Sequence, residues 1–304
     1  MLSVIIPARN NAAFTTRCIG TALAAVAVRN IPCEFVLLDD ASAPEERMLD
    51  VFHQHRASAP DHEFKLVRAT VHQHYSRIFA IGLSLATREN VLFLSNDMLM
   101  TPSFLTALLG VSALSREIGI VRGTSAHTDS HPEHIVTPPM PMRRYPDIDA
   151  FSRMMFDLAG LGFVEDQVLS GDAVLIKRAL IDRIGLVDYR YFAYFGDVDY
   201  GLRAHLAGFK LVCAKGAWLH HEGAGYIKAD MAKVGETMSV AQARRMQVVQ
   251  KAYETFRTKW DPALPQRYED LKSLHLFEMA RRNADRVALQ EGLPMAATAA
   301  LEVY

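Results

Sequence analysis

Short apolar runs alternate with longer amphipathic stretches through most of the chain. Leu2 to Ile6 is β-branched and apolar without a break, and Pro7 stops it. A run with no polar alternation fits a strand buried on both faces of a parallel sheet. Glu34–Leu38, Phe64–Ala69 and Asn90–Leu94 read the same way. Between them, Thr15–Val28, a stretch opened by Pro44 and running to about His55, and Ser76–Ala86 have helical character. Thr101-Pro102 is a helix start, a threonine cap followed by proline at the first helical position. Ile118–Val121 closes this half. Strands alternating with helices predict an α/β fold: a doubly wound, mostly parallel sheet flanked by helices.

The rhythm then breaks. Residues 122–146 hold five prolines and three histidines with no apolar period, and read as one long loop. A helix over Asp147–Leu158 and a strand over Ser170–Ile176 follow. Next come helices over Ala179–Ile184 and Asp197–Leu206, then a short strand over Lys210–Ala214. From about Ala229 the chain turns charged and helical, broken by Asp261-Pro262 and Pro265. Residues 267–289 read as one amphipathic helix, and the tail beyond Pro294 as frayed.

Polar clusters follow the buried runs. Asp39-Asp40-Ala41-Ser42 ends the second strand, and Ser95-Asn96-Asp97 ends the fourth. Gly196-Asp197-Val198-Asp199 opens a helix, and His220-His221 follows Trp218-Leu219. In open α/β sheets, ligands gather at the carboxyl edge of the strands. Each cluster also has a plainer reading. Asp39 and Asp40 can be turn and cap residues, and Ser95-Asn96-Asp97 an Asx-turn. Asp197 can cap its helix while Asp199 favours the dipole. Residues two apart do not share a helix face, so at most one of these two aspartates points into a site. Adjacent histidines diverge, and a lone histidine is more often structural than ligating. Arg143-Arg144 reads first as a solvated pair.

The 304 residues are half hydrophobic with a net charge of −1, enough for a large core and without the basic face of a nucleic-acid binder. Cys18, Cys33 and Cys213 read as reduced thiols. The N-terminus lacks the charged region of a signal peptide. The longest apolar run, Ile19 to Val28, falls short of the roughly 20 residues that span a bilayer. The chain reads as cytoplasmic, at most peripheral at an inner membrane face. Neither the dinucleotide glycine fingerprint nor the P-loop pattern is present.

The order of these motifs resembles the inverting, nucleotide-sugar-dependent family 2 glycosyltransferases of the GT-A fold, from Leu2 to about Tyr226. Val4-Ile5-Ile6-Pro7-Ala8-Arg9-Asn10 resembles the opening V-I-I-P-x-x-N. Leu38-Asp39-Asp40-Ala41-Ser42 resembles V-D-[ND]-G-S, and Leu94-Ser95-Asn96-Asp97 with Thr101-Pro102 resembles the metal-binding D-x-D segment. Gly171-Asp172 through Arg178 resembles the acceptor-side strand. Gly185 through Arg203 resembles the stretch that carries the catalytic base, and Ala217 through His221 the closing histidine motif.

The resemblance implies a GT-A domain over 1–228, with a nucleotide-sugar half to about 100 and an acceptor half beyond it. Residues 229–304 are then a helical extension that can pair two copies. It implies donor contacts from Pro7, Ala8, Arg9, Asn10, Asp39 and Asn96, with Asp39 on the base. Asp97 and His220 would hold Mn²⁺ or Mg²⁺. Asp197 would be the base, with Gly171, Asp172 and Asp199 on the acceptor side. The donor would be a nucleoside-diphosphate sugar, a UDP-sugar first, and the acceptor a glycan, lipid-linked or protein hydroxyl, as in polysaccharide or glycoconjugate assembly. No nucleic-acid partner is implied. Gly196 stands where the family carries glutamate, Ser95 where it carries the first acid of D-x-D, and His72-Gln73-His74-Tyr75 where asparagine is usual. These departures keep a non-catalytic sugar- or protein-binding GT-A domain as the rival reading. A sugar-phosphate nucleotidyltransferase would need a glycine- and basic-rich loop after the first strand, which Pro7 through Asn11 does not supply.

Overall fold

The computed structural model describes residues 1–127, 131–169, 173–222, 238–271 and 275–304. Strands β1 (Leu2–Ala8), β2 (Cys33–Asp40), β3 (Glu63–Ala69) and β4 (Asn90–Leu94) run parallel in the order β3-β2-β1-β4. Helices α1 (Ala12–Val28), α2 (Met48–Ser58) and α3 (His74–Leu85) connect them, and a two-residue strand β5 (Met98–Leu99) precedes α4 (Pro102–Ala113). The sheet continues through β6 (Ile118–Ser125), α5 (Tyr145–Ala159), β7 (Phe163–Glu165), β8 (Ala173–Lys177), α6 (Arg178–Ile184), α7 (Gly196–Leu206) and β9 (Lys210–His221). β8 lies antiparallel between β4 and β6, and β9 runs parallel to β6.

Alternate residues of β1 and β2 face opposite layers. Val4, Ile6, Phe35 and Leu37 pack with α1, α2 and α4, whereas Ile5, Val36 and Leu38 pack with α3, α6 and α7. Burial on both faces explains why these strands read as unbroken apolar runs. Pro7 is tolerated at the end of central β1 because pairing with β4 stops at Ile5, opposite Phe93.

Several boundaries differ from expectation. β9 is a twelve-residue strand rather than a short one. It bulges: Arg122 faces Cys213, but two residues later Thr124 faces Trp218. Gly123 makes this possible, since a Cβ there would sit 2.2 Å from the Ala217 carbonyl oxygen. The stretch from Pro44 is a short 3-10 turn, and Arg47 in a left-handed conformation separates it from α2. Residues 267–289 do not form one helix. A 3-10 turn at Tyr268–Asp270, helix α9 (Leu276–Arg282) and a turn at Ala284–Arg286 replace it.

The C-terminal segment folds back on α7 and the loop before it. α8 (Met238–Trp260) buries Tyr253, Phe256 and Trp260 against Tyr191 and Leu202, so that apolar face is spent within the chain. The tail beyond Pro294 is ordered: after the short helix α10 (Met295–Thr298), β10 (Leu301–Val303) pairs antiparallel with β3 and covers that edge of the sheet.

The charged seam beneath α8 is buried. Lys259 Nζ lies 2.8 Å from Asp188 Oδ2, 2.8 Å from Asp199 Oδ1 and 3.0 Å from Glu291 Oε1. Replacing it with Lys259→Met leaves three carboxylates short of a shared cation, although Arg203 and Arg190 remain on Asp199 and Asp188. Removing one member of a buried charge cluster costs about 3 kcal/mol or more. We expect a loss of that size in urea unfolding. A loss within error of zero would mean that the seam does not hold α8.

Candidate active site

The carboxyl edge of β1 and β2 is tied by its own loops. Asn10 and Asn11 both adopt left-handed backbone, which asparagine accepts more readily than most residues. That turn lets the Asn10 amide donate to Ser42 Oγ at 2.9 Å, while the Ala43 amide donates to Asn10 Oδ1 at 2.9 Å. Arg9 Nη1 donates to the Asp40 carbonyl at 3.1 Å. Pro7 and Ala8 are the last two residues of β1, opposite Leu38 and Asp39.

Asp39 is fully buried. Its Oδ1 accepts from the Ser42 amide at 2.9 Å, and Oδ2 lies 3.1 Å from Arg68 Nη1. An ionised carboxylate has about four lone-pair sites, so these contacts leave acceptor capacity. Asp40 has a different task. It accepts from the Gln73 amide at 2.6 Å and the His74 amide at 3.2 Å, at the start of α3, and pairs with His72 Nδ1 at 2.7 Å. The unusual His72-Gln73-His74 segment is thus bound to the second aspartate of the Asp39-Asp40 pair.

The metal-type end depends on the shortest strand. β5 pairs antiparallel with the end of β9, Met98 opposite His221 and Leu99 opposite His220. The Glu222 amide also donates to the Asp97 carbonyl at 3.0 Å. This clip sets His221 Nε2 3.2 Å from Asp97 Oδ2. Successive strand side chains point to opposite faces. His220 accordingly turns toward Glu222, 3.9 Å away, which also pairs with Arg17 at 2.7 Å. The chain therefore brings His221, not the expected His220, onto Asp97. Burial holds the His220 imidazole below its ordinary pKa, and its Nδ1 is a buried nitrogen with no hydrogen-bond partner among the described residues. Asn96 Nδ2 donates to Thr15 Oγ1 at 2.9 Å, which anchors this turn to α1.

The two aspartates of α7 are separated by environment. Asp197 is half-buried in the first helical turn, and its Oδ1 accepts from the Val198 amide at 2.9 Å. Asp199 is fully buried, between Arg203 Nε at 2.8 Å, Lys259 Nζ at 2.8 Å and Trp260 Nε1 at 2.9 Å. This corrects its acceptor-side assignment: a carboxylate closed in by three donors of its own chain does not meet an acceptor. Gly171 and Asp172 lie outside the described residues. Gly196 has a steric cause, since a Cβ there would meet Ser76 Oγ at 2.6 Å and Val187 Cγ1 at 3.0 Å. Contact with Ser76, in the first turn of α3, also puts the start of α7 at the carboxyl edge, because α3 leaves that edge after β3.

Two features carried no sequence signal by themselves. Arg68 enters the site from β3, and the rings of His72, His74 and Phe192 lie tilted against one another with centroids 3.6 and 3.7 Å apart. Met98-Leu99 directly after Asp97 was the one hint of the β5 clip, an apolar pair too short to score as a strand.

The doubly wound, mostly parallel sheet flanked by helices has the GT-A architecture, and its carboxyl edge carries the Asp97–His221 pair and the start of α7. A sequence profile described as "Glycosyltransferase like family 2" matches residues 1–236, and the chain belongs to that family and is a glycosyltransferase. No curated protein matches it in sequence. Among solved structures it is similar to the mannosyltransferase PcManGT from Pyrobaculum calidifontis in complex with GDP-Man and Mn²⁺. That match has 18% identity and a TM-score of 0.56, over 98% of this chain and 78% of that one. It is similar to S. aureus TarS 1-349, with 14% identity and a TM-score of 0.51, over 94% and 83%. It is also similar to GalNAc-T7 with UDP, GalNAc and Mn²⁺, with 14% identity and a TM-score of 0.60, over 95% and 55%. At these identities the likeness carries the fold. Among the described residues, no helix is long and apolar enough to cross a membrane.

His74 gives a pH signature. Burial, reinforced by the nearby His72, pushes its pKa down from 6.5 to about 4, although Asp40 opposes this. The unfolded chain therefore takes up this proton first as pH falls, so stability drops from about pH 6.5 towards 4. His74→Asn suits the left-handed backbone (φ 63°) and removes the titration. Melting curves at pH 7.5 and pH 5 should show the variant losing less on acidification than the parent. Equal losses would mean that His74 titrates normally.

Proposed function

We propose that the protein is an inverting transferase. It would move a sugar from a nucleoside-diphosphate donor, a UDP-sugar first, to an acceptor hydroxyl on a glycan, lipid-linked or protein substrate. The observation that carries this reading is the β5–β9 clip, which sets Asp97 beside His221 at the sheet edge where α7 also begins. We take residues 1–228 as the transferase domain and 229–304 as its extension.

The donor set fits a divalent cation. A carboxylate with an imidazole nitrogen 3.2 Å away suits Mn²⁺ at least as well as Mg²⁺. Asp97 and His221 would hold it. A cation held there supplies Lewis-acid charge opposite the departing diphosphate.

The other steps belong to the chain. Asp39 and Arg68 face the base end. Pro7, Ala8, Arg9 and Asn10 form the turn against which the nucleoside lies, with Asn96 bracing the diphosphate turn. Asp197 accepts the proton of the acceptor hydroxyl. The hydroxyl oxygen bonds to the anomeric carbon as the bond from that carbon to the diphosphate oxygen breaks. The nucleoside diphosphate leaves with the electron pair, and configuration inverts.

Two experiments test this. Asp97→Ala and His221→Ala should each abolish Mn²⁺-dependent binding of nucleoside diphosphate in calorimetric titrations, and His220→Ala should weaken it less. Unchanged affinity in Asp97→Ala would remove the metal assignment. Asp197→Asn keeps the cap, since asparagine and aspartate cap about equally well. It cannot take a proton at neutral pH, so transfer should fall about 10²–10⁴-fold with donor binding retained. Near-full transfer to a verified acceptor would reduce Asp197 to a cap.

A further inference from the structure

The long proline-rich segment after β6 carries a second cluster of ligand-type side chains, apart from Asp97 and His221. The 3-10 turn Pro132–His134 directly follows His131. In such a turn, side chains three apart eclipse. The rings of His131 and His134 accordingly stack with centroids 5.1 Å apart. Asp166, just past β7, meets them: its Oδ1 lies 2.6 Å from His134 Nε2. One ligand atom from each of the three residues lies within 4.8 Å of the others. All three are buried, with relative exposures of 4%, 1% and 6%.

Two details point to a ligand set rather than a packed polar cluster. Asp166 Oδ2 is buried and has no hydrogen-bond partner among the described residues, which is costly for a carboxylate oxygen. The Nε2–H of His131 donates to the Val168 carbonyl at 2.6 Å. Metal-ligating histidines commonly make this second contact, because it fixes the tautomer and leaves the other nitrogen to coordinate. That nitrogen, Nδ1, lies 3.0 Å from Glu133 Oε1, an exposed carboxylate that can serve as a fourth ligand. One contact opposes the arrangement: Lys215 Nζ sits 3.3 Å from His134 Nδ1. A cation on Nε2 leaves Nδ1 protonated, so the half-buried Lys215 must turn away.

We propose that His131, His134 and Asp166 form a structural site for a Zn²⁺-like cation, which pins the segment after β6 to the paired strands β7 and β9. Two imidazoles and a carboxylate are the N/O donor set of zinc rather than of the harder Mg²⁺. The site lies beside Lys215, in the bulge of β9, and not at the His221 end of that strand. It needs neither a donor sugar nor the proposed reaction.

The test uses the full chain, stripped with a chelator, reloaded with Zn²⁺ and freed of excess. An Asp97→Ala/His221→Ala double variant should retain one equivalent by elemental analysis. Adding Asp166→Asn, which keeps the shape and the hydrogen bond from His134, should remove it, and so should His131→Gln if the asparagine variant does not fold. Lys215→Gln should tighten binding. The melting temperature of the parent should rise on reloading, and that of Asp166→Asn should not. No zinc in the double variant would overturn the proposal. So would an undiminished equivalent after Asp166→Asn or His131→Gln.

Discussion

The buried carboxylate of Asp199 is the joint on which α7 and the C-terminal chain depend. It receives Arg203 from one turn further along α7, and Lys259 and Trp260 from the end of α8. Arg203 in turn donates to the carbonyls of Ile184, Leu186 and Leu289, at 2.8, 2.7 and 2.9 Å. One carboxylate thus sets the axis of α7, the end of α6 and the path of the C-terminal chain. A charge in that position is tolerable only because it is paired and hydrogen-bonded on every side. Asp197 lies two residues earlier on the same helix, so its position is inherited from this joint.

That dependence changes how the C-terminal segment is understood. α8 looks like an appendage by sequence, since the family motifs end before it. Its aromatic face nevertheless completes a core with Tyr191, just before α7, and Leu202, within it. β10 closes the opposite flank by pairing with β3, the strand that delivers Arg68 to Asp39. Both ends of the carboxyl edge are therefore braced by residues beyond position 237.

Much of this was legible from residues alone, for a definite reason. Strands buried on both faces leave unbroken apolar runs, so β1 to β4 and the polar clusters at their ends could be read directly. What escaped depends on partners far away in sequence. β5 has two residues, and its only signature is pairing with His220 and His221. β9 was read short because Lys215 and Gly216 interrupt its apolar run, and those residues occupy a bulge. Asp199 could be told from Asp197 only by Lys259 and Trp260, sixty residues away. The i, i+2 spacing did require the two aspartates to face differently, but it could not say which one faced inward.

The departures from the family pattern become intelligible as packing. Gly196 follows from the close approach of α3 to the start of α7, where any side chain would run into Ser76. The same α3 is led in by His72-Gln73-His74, bound to Asp40, with the His74 ring against Phe192. Gly196 and the histidines at 72 and 74 thus both meet the first turn of one helix. Ser95 fits a similar account at the other end of the edge. With one carboxylate left in that turn, the β5–β9 clip fixes His221 against Asp97 through backbone pairing. If this pair holds a cation as proposed, one carboxylate presents less negative charge to it than two would, and the phosphate oxygens of a bound donor would complete more of its shell.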